Sequence, residues 1–380
     1  MVEAPTMQQL ETGAALAVPR TPSLVCNVGE RRRTASRIRT ASREAGCTLL
    51  YSVKANGLPG VLTALAPYVD GCGVSSLSEA RAARNALGDE GKLHLCAVAV
   101  PLDDAAKLVD TCDYVTFNSI SQLEHWGPVF AGNASIGLRV NPGYSFVDDR
   151  RYDPCRRHSK LGVSLADLAA ADDRIASLIQ GLHIHSNCDS TDLGELLETV
   201  RLLDSRVGSV LSQTNWINLG GGYLFDEGMD IDPLKEATSL IRNRHGTEVI
   251  IEPGAAFVRD SGYVVASVLD LFTSDGKEVA VLDTTVNHMP EVFEYQYRPE
   301  VLGHSDAGPH EYVLAGVSCL AGDVFGEYRF DEPLCVGSRV VFTDAGAYTI
   351  VKANTFNGIP LPTVYELRDD GTFVQMAVAS

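Results

Sequence analysis

The 380-residue chain lacks any apolar run as long as the roughly 18 residues that a membrane-spanning helix needs. Basic residues are also scarce: the chain has 31 Lys and Arg but 49 Asp and Glu, and its formal net charge is −18. Such a surface would repel nucleic acids and anionic membranes, so neither is an expected partner. A cationic small molecule would be attracted, although acidic surfaces often serve solubility alone.

Cysteine pairs with the spacing of zinc sites are missing as well. An odd number of cysteines is scattered along the chain, at Cys26, Cys47, Cys72, Cys96, Cys112, Cys155, Cys188, Cys319 and Cys335. This pattern is typical of reduced thiols, so we expect a cytoplasmic protein without a metal site. The first residues contain Glu3 and Glu11 and no apolar stretch, and they predict neither a secretion signal nor a transit peptide.

Short apolar segments recur along the first two thirds of the chain, separated by small-residue turns and stretches with helical spacing. The eight segments are 49–54, 71–76, 93–100, 114–119, 136–141, 181–186, 216–221 and 249–254. The helical stretches include 78–87, 121–130, 165–179, 193–211 and 233–244. This alternation predicts an α/β fold, a (β/α)8 TIM barrel, over residues 26–258.

The pattern changes after residue 259, where strand-like segments follow one another with little helix between them. These segments are 263–272, 279–284, 312–316, 339–344 and 363–367. They predict a C-terminal antiparallel β domain over residues 259–380. Residues 1–25 precede the barrel and could supply a strand to either domain.

Lys54 closes the first apolar segment, where a barrel collects its catalytic residues. An amine at the end of an apolar strand is poorly solvated, which favours the neutral form that imine formation needs. Lys54 is therefore our candidate for a Schiff-base lysine. The alternative is a lysine that simply reaches solvent from a strand end.

Glycines follow the seventh and eighth segments. Gly220, Gly221 and Gly222 lie between a strand and a predicted helix, where backbone N–H groups can close around a phosphate. Gly254 offers a second close backbone approach at the neighbouring strand end. Together they predict one phosphate clamp, and two unrelated tight turns are the alternative.

Glu252 ends the eighth segment in apolar surroundings, where an unpaired carboxylate would be costly. A protonated pyridine nitrogen would pair with it and keep the ring an electron sink. A salt bridge to Arg139, at the end of the fifth segment, is the alternative; Arg139 is also a candidate for cofactor contact. The lysine, the phosphate clamp and the carboxylate together predict pyridoxal 5'-phosphate (PLP) as the cofactor.

His183 and His185 lie on the sixth segment. We expect only one of them to point into the barrel mouth, and we choose His185, the nearer to the strand end, as the ring that stacks on the cofactor. A zinc site is the alternative, but no third ligand lies at metal spacing.

Cys319 and Asp323 stand together in a glycine-containing turn of the β domain. The thiol could protonate a carbanion, and the carboxylate could bind a substrate ammonium. The alternative is a buried cysteine beside a turn aspartate.

In this order, the residues resemble the fold-type III PLP-dependent decarboxylases, the family of ornithine, diaminopimelate and carboxynorspermidine decarboxylases. The resemblance covers nearly the whole chain. Within the family, the segments LDTTVNHMPE (282–291), YRP (297–299) and CLAGD (319–323) are most similar to the carboxynorspermidine (carboxyspermidine) decarboxylase branch.

The resemblance implies an alanine racemase-like fold and a cofactor bound covalently to Lys54. It further implies that His185 stacks on the ring, that Glu252 pairs with the pyridine nitrogen, and that Gly221, Gly222 and Tyr348 hold the phosphate.

The resemblance also implies a homodimer with shared active sites, in which Cys319 and Asp323 enter the site from the partner subunit and Asp283 contacts the substrate amine chain. Glu291 and Arg298 are further candidates for substrate binding.

The sequence departs from the family after Gly254, where Ala255 and Ala256 stand. Ornithine and diaminopimelate enzymes typically carry arginine there, and the carboxynorspermidine branch carries glutamate. One expected polar contact is therefore missing, which leaves open a relative with a specialised substrate.

We expect decarboxylation of a carboxylated polyamine, with cofactor PLP and Cys319 as proton donor. The closest alternative is decarboxylation of ornithine, diaminopimelate or a similar short acid; an acid with a distal carboxylate would need an arginine such as Arg259 or Arg298. A PLP racemase, a PLP carrier without catalysis and a polyamine-binding barrel are the further alternatives.

Overall fold

The computed structural model describes residues 13–171 and 173–377. These residues form two compact units, one made of residues 34–257 and the other of residues 13–33 and 258–377. Residues 1–12 of the predicted N-terminal segment lie outside the described residues. No helix in the described part is both long and apolar enough to cross a membrane.

The strands are numbered in chain order. They are β1 (Ser23–Asn27), β2 (Thr48–Ser52), β3 (Gly71–Val74), β4 (Lys92–Cys96), β5 (Tyr114–Phe117), β6 (Ser135–Asn141), β7 (Val163–Ser164), β8 (Gly181–Ile184), β9 (Trp216–Asn218), β10 (Glu248–Ile251), β11 (Gly262–Ser274), β12 (Lys277–Leu282), β13 (His310–Ala315), β14 (Val324–Phe330), β15 (Arg339–Phe342), β16 (Thr363–Leu367) and β17 (Phe373–Gln375).

The α-helices span Val28–Ala45, Pro59–Leu65, Leu77–Leu87, Leu102–Val109, Ile120–Phe130, Leu165–Ala169, Asp173–Ala176, Gly194–Leu211, Asp232–His245, Ala255–Val258 and Pro290–Tyr295. Several begin at a polar side chain that satisfies a free amide. The Ser76 hydroxyl accepts a hydrogen bond from the amide of Glu79 at 3.2 Å, and the Glu79 carboxylate accepts one from Ser75 at 2.7 Å. The two hydrogen bonds differ from a capping box in that the carboxylate bonds the residue before the N-cap, but together they fix the start of Leu77–Leu87.

Eight parallel strands close the barrel. β2, β3, β4, β5, β6, β8, β9 and β10 pair in that order, and β10 pairs with β2. The predicted TIM barrel is confirmed. Seven of the eight strands are shorter than the predicted segments, because the last predicted residues already belong to the loops at the carboxyl ends; β6 is one residue longer than predicted.

The predicted helix 165–179 is divided into Leu165–Ala169 and Asp173–Ala176. The first of these ends where the amide of Ala170 bonds to the carbonyl of Ala166 and that of Ala171 bonds to Leu168. Helical spacing of apolar residues continued across this break, so the sequence pattern did not reveal it.

Trp216 fills the barrel interior at the amino ends of the strands and is 2% exposed. A Cβ on Gly181 would lie 2.0 Å from its ring, and one on Gly137 would lie 2.4 Å from it. The indole N–H donates to Ser135 Oγ at 2.8 Å. Two neighbouring strands therefore need glycine so that one large ring can occupy the centre.

The other unit is built around a second sheet with the strand order β14-β13-β12-β11-β1-β16-β17, and β15 also pairs with β11. Most pairs are antiparallel, as predicted, but β1 runs parallel to β16 and β12 runs parallel to β13. The sheet is mixed because β1 enters from the N-terminal part of the chain and because a long connection, 283–309, returns the chain to the start of β13. The sequence did not reveal β14, whose Gly326 and charged residues weaken the strand pattern.

Replacing Gly181 with alanine should lower the free energy of unfolding by about 1–3 kcal/mol, because the added methyl group overlaps the Trp216 ring. Denaturant unfolding would measure the change. Gly208→Ala is the matched control, because Gly208 lies in a helix and a Cβ there would meet no atom closer than 3.5 Å. Equal unfolding midpoints for the two variants would contradict the packing described for Trp216.

Candidate active site

Lys54 lies in a single 3-10 turn, Val53–Ala55, directly after β2. The residues on either side of it are buried, whereas the lysine side chain is exposed. The sequence predicted a poorly solvated amine; instead, the turn lifts this side chain out of the strand and away from the apolar core. Gly254 packs against the turn, and a Cβ there would lie 3.0 Å from that of Ser52.

Gly220, Gly221 and Gly222 form a loop without side chains at the end of β9. Gly220 and Gly222 have φ angles of 71° and 94°, which other residues rarely adopt. A Cβ on Gly221 would lie 2.4 Å from the Glu252 carbonyl oxygen, and one on Gly222 would lie 2.2 Å from that of Asn187. All three glycines are therefore required, and the loop presents bare backbone beside Glu252.

His185 follows β8 directly and is half-buried. The Gly221 amide donates to its Nδ1 at 3.0 Å, so the proton of the neutral ring is on Nε2. A Cβ on Gly220 would lie 2.8 Å from the same Nδ1, which shows how closely the ring packs on the loop. Burial, together with the charges of Lys54 and Arg139, lowers the pKa of His185 well below its ordinary value. The ring is neutral at neutral pH.

Glu252 follows β10 and is 7% exposed. Its Oε1 accepts a hydrogen bond from Asn218 Nδ2 at 2.5 Å and lies 3.1 Å from His94 Nδ1, and its Oε2 lies 3.8 Å from His183 Nε2. Burial acts to raise the pKa of this carboxyl, but contact with His183 and His94 holds it well below its ordinary value. The ionisable groups that contact Glu252 within residues 13–171 and 173–377 are thus histidines, not the Arg139 considered from the sequence.

Asn218 is fully buried and joins the glycine loop to the carboxylate. Its Oδ1 accepts the Gly220 amide at 2.8 Å, which fixes Nδ2 as the donor. Nδ2 lies 2.5 Å from Glu252 Oε1 and 2.7 Å from His94 Nδ1, so its two hydrogens serve both acceptors. The His94 proton then lies on Nε2, 2.7 Å from Thr116 Oγ1. Burial lowers the pKa of His94, in keeping with this neutral form.

Gly73 on β3 makes room for the buried carboxylate. A Cβ at this position would lie 2.9 Å from Glu252 Cδ. The site therefore needs the smallest residue opposite its acid.

His183 and His185 both face the site. Glu252 lies beside His183, and the charges of His183 and Glu252 both act on His185. The prediction that only one of the two histidines points into the barrel mouth is wrong. Side chains alternate between the two faces of a strand, so residues two positions apart, such as His183 and His185, point to the same face.

Cys96 ends β4 on the same face as His94. Its Sγ lies 3.8 Å from His183 Nδ1. Burial acts to raise the pKa of this thiol, but His183 lowers it below its ordinary value. Burial likewise acts to lower the pKa of His183, but Cys96 and Glu252 raise it to about 9.

Sequence reasoning did not select Gly73, His94, Cys96 and Asn218 as site residues. One signal was available for two of them. Polar residues recur at every second position of β4, at Lys92, His94 and Cys96, in a strand that a parallel barrel buries on both faces. Such a spacing directs them to the barrel interior.

The remaining predicted residues belong to the other unit. Asp283 is half-buried, and both of its oxygens have donors there: the Ser267 amide at 2.8 Å and the Thr21 hydroxyl at 2.6 Å. It stabilises the start of the segment that follows β12.

Asp323 is 3% exposed and organises the loop that carries Cys319. Its oxygens accept the amides of Val286 at 2.7 Å and Ser318 at 2.9 Å. Cys319 itself is exposed, and its amide donates to Asn357 Oδ1 at 2.8 Å. The aspartate thus holds the exposed thiol in a defined position.

Glu291 is half-buried and lies 3.2 Å from the Lys352 ammonium, which also pairs with Glu294 and lies 5.3 Å from the Tyr295 ring centroid. This cluster keeps a net negative charge.

Arg298 donates to the carbonyl of Glu327 at 3.0 Å and stacks on Tyr328. Tyr348 is half-buried and has a φ angle of 55°.

The barrel residues fit PLP. They offer a primary amine, a glycine cradle that a Cβ would fill, and a buried carboxylate that remains ionised beside two histidines. The described part of the chain contains no group of three or more histidine, cysteine, aspartate or glutamate side chains arranged so that they could hold a metal ion together.

Comparison with known proteins agrees with this chemistry. Residues 31–259 match the family model described as "Pyridoxal-dependent decarboxylase, pyridoxal binding domain". A carboxynorspermidine/carboxyspermidine decarboxylase of Campylobacter jejuni is 32% identical over 360 residues, 90% of this chain and 92% of that protein. A carboxyaminopropylagmatine decarboxylase of Synechocystis is 38% identical over 309 residues, 80% of this chain and 78% of that protein.

The fold agrees as well. The crystal structure of the Campylobacter jejuni carboxynorspermidine decarboxylase in complex with norspermidine superposes with a TM-score of 0.85 at 29% identity, over 94% of this chain and 96% of that one. The resemblance inferred from the motifs is confirmed, and the protein belongs to the pyridoxal-dependent decarboxylases, enzymes that use PLP to release carbon dioxide.

Proposed function

We propose that this enzyme decarboxylates a carboxylated polyamine, carboxynorspermidine or carboxyspermidine, to norspermidine or spermidine. One observation carries the proposal: a relative named for this reaction aligns with nine tenths of the chain. The similar crystal structure, a carboxynorspermidine decarboxylase in complex with norspermidine, agrees with it. The net charge of −18 suits a substrate with several ammonium groups.

Carboxyaminopropylagmatine is a second candidate substrate. The relative named for it is 38% identical to this chain, a higher identity over a shorter alignment. Ala255, which begins the helix after Gly254, supplies no charge beside the site, so it does not favour either substrate.

Within the barrel, Lys54 would hold the cofactor covalently, the glycine loop would hold its phosphate, and Glu252 would pair with its ring nitrogen. The bound cofactor supplies the electron sink that makes loss of carbon dioxide from the α-carbon feasible. Glu252 suits this role because it remains ionised. His185 suits ring stacking because it is neutral and packs on the loop.

In the other unit, Glu291 and its neighbours offer the negative charge that would attract the amine chain. Asp283 and Asp323 would act mainly by holding their segments, since their oxygens already have donors. Cys319 is exposed and would return a proton to the α-carbon after carbon dioxide leaves.

We further propose that the enzyme is a homodimer in which each site receives Cys319 from the partner subunit, and that it works in the cytoplasm. The free state of the nine cysteines suits a reducing compartment.

A substrate panel tests the activity. Carbon dioxide release should be fastest with carboxynorspermidine or carboxyspermidine and much slower with ornithine, lysine and meso-diaminopimelate. Carboxyaminopropylagmatine is the decisive additional substrate. If it is turned over with a higher kcat/KM than either carboxylated triamine, the second candidate replaces the first.

Replacing Lys54 with alanine should abolish turnover and the visible absorbance of covalently bound cofactor, because no other amine takes its place at the end of β2. Lys92→Ala is the matched control, since Lys92 begins β4 at the opposite end of the barrel. Near-normal turnover by Lys54→Ala, or an equal loss in both variants, would refute the assignment.

Mixing two inactive variants tests the shared site. Lys54→Ala and Cys319→Ala subunits that exchange at random should recover about a quarter of wild-type activity, because about half of the dimers then hold one intact site. The double variant mixed with Lys54→Ala should recover nothing. If the two single variants also recover nothing while native mass spectrometry, with one variant isotopically labelled, shows that they exchange, Cys319 does not act across the interface.

A further inference from the structure

A line of contacts leads from Glu252 to a cysteine that has no assigned role. Glu252 Oε2 lies 3.8 Å from His183 Nε2, and the other nitrogen of that ring lies 3.8 Å from Cys96 Sγ. Thiol, imidazole and carboxylate therefore follow one another in the order that activates cysteine in other sites. All three side chains belong to the barrel unit.

His183 is the histidine of this group that can carry a positive charge. The neighbouring ring, His94, is held neutral because Asn218 donates to its Nδ1, and a proton there would oppose the Asn218 amide. The two rings meet edge to face, with centroids 5.9 Å apart. No comparable donor faces His183 among the described residues; both of its nitrogens face groups that can accept a proton.

We propose that Cys96 and His183 form a thiolate–imidazolium ion pair, and that this pair positions the Glu252 carboxylate and balances its charge. The Sγ proton moves to Nδ1 of His183, so the step needs no other reactant. Cys96 and His183 are then positioning residues. Their effect on the cofactor rests on the proposed pairing of Glu252 with the ring nitrogen, whereas the ion pair itself does not.

Several titratable or charged groups surround His183. His94 and Cys96 face it from β4, Arg139 lies on the neighbouring β6, His185 follows on its own strand, and Glu252 follows β10. The charge of Arg139 also favours the Cys96 thiolate. Despite burial, Cys96 and Glu252 raise the pKa of His183 to about 9. The imidazolium is therefore present at neutral pH and is lost as the pH rises through about 9.

Nuclear magnetic resonance of the holoenzyme with labelled histidine tests the pair. In wild type the His183 signal, assigned with His183→Gln, should titrate near 9, and in Cys96→Ser its midpoint should fall toward the ordinary 6.5. Serine keeps the size of the side chain but does not become an anion. Cys72→Ser is the matched control: it lies on the next strand, and burial raises the pKa of its thiol to about 12, so His183 should not respond.

Thiolate absorbance provides the reverse measurement. Wild type should show a thiolate at neutral pH that is absent from Cys96→Ser, and His183→Gln should move its appearance to higher pH. The cofactor absorbance of the loaded enzyme, followed against pH, reports on Glu252: its alkaline transition should move to lower pH in Cys96→Ser and stay in place in Cys72→Ser.

An unchanged His183 midpoint in Cys96→Ser, or a neutral-pH thiolate that persists in that variant, would overturn the ion pair. If the His183 midpoint shifts in Cys96→Ser but the alkaline transition of the cofactor absorbance does not move, the ion pair does not act on Glu252. These measurements need no substrate, so a failure of the polyamine panel would refute the proposed function without touching the pair.

Discussion

A carboxylate that is 7% exposed must be matched by donors and cations, and much of the barrel's chemistry follows from how Glu252 meets that requirement. Asn218 donates to one oxygen, His183 lies near the other, and Gly73 leaves the space that the group occupies. Each of these residues comes from a different strand or strand end, so the carboxylate is held only when the barrel has closed. The position of the carboxylate therefore depends on the closed barrel, and the need to hold it explains why these residues lie in the barrel interior.

The sequence revealed the barrel because its alternation is dense and its strand ends are chemically distinctive. Lys54, the glycine triplet and Glu252 were all recognisable, since each contradicts the pattern around it. The turn around Lys54 was not recognisable, because a segment of three residues is too short to show a periodic pattern of apolar residues. β14 was missed for a related reason: a glycine and charged side chains weaken the alternation of a strand at the sheet edge.

The inner layer of the site was harder to predict for a physical reason. His94 and Asn218 hydrogen-bond to each other although they lie 124 positions apart in the sequence, and no local sequence pattern predicts such a contact. In the other unit, Asp283 and Asp323 were recognised as polar residues in the right segments, but sequence could not show that their oxygens already have donors. Family motifs locate residues, whereas the hydrogen bonds decide how much of a side chain remains available to a ligand.

One side chain links the glycine loop to the buried acid. The carboxamide of Asn218 accepts the Gly220 amide through its oxygen and donates to Glu252 through its nitrogen. A displacement of the loop would rotate this amide, and the rotation would reach the acid directly. Substitutions at the two ends should therefore be energetically coupled. With the cofactor placed as proposed, a change in how the loop holds the phosphate would also change how the acid acts on the ring nitrogen.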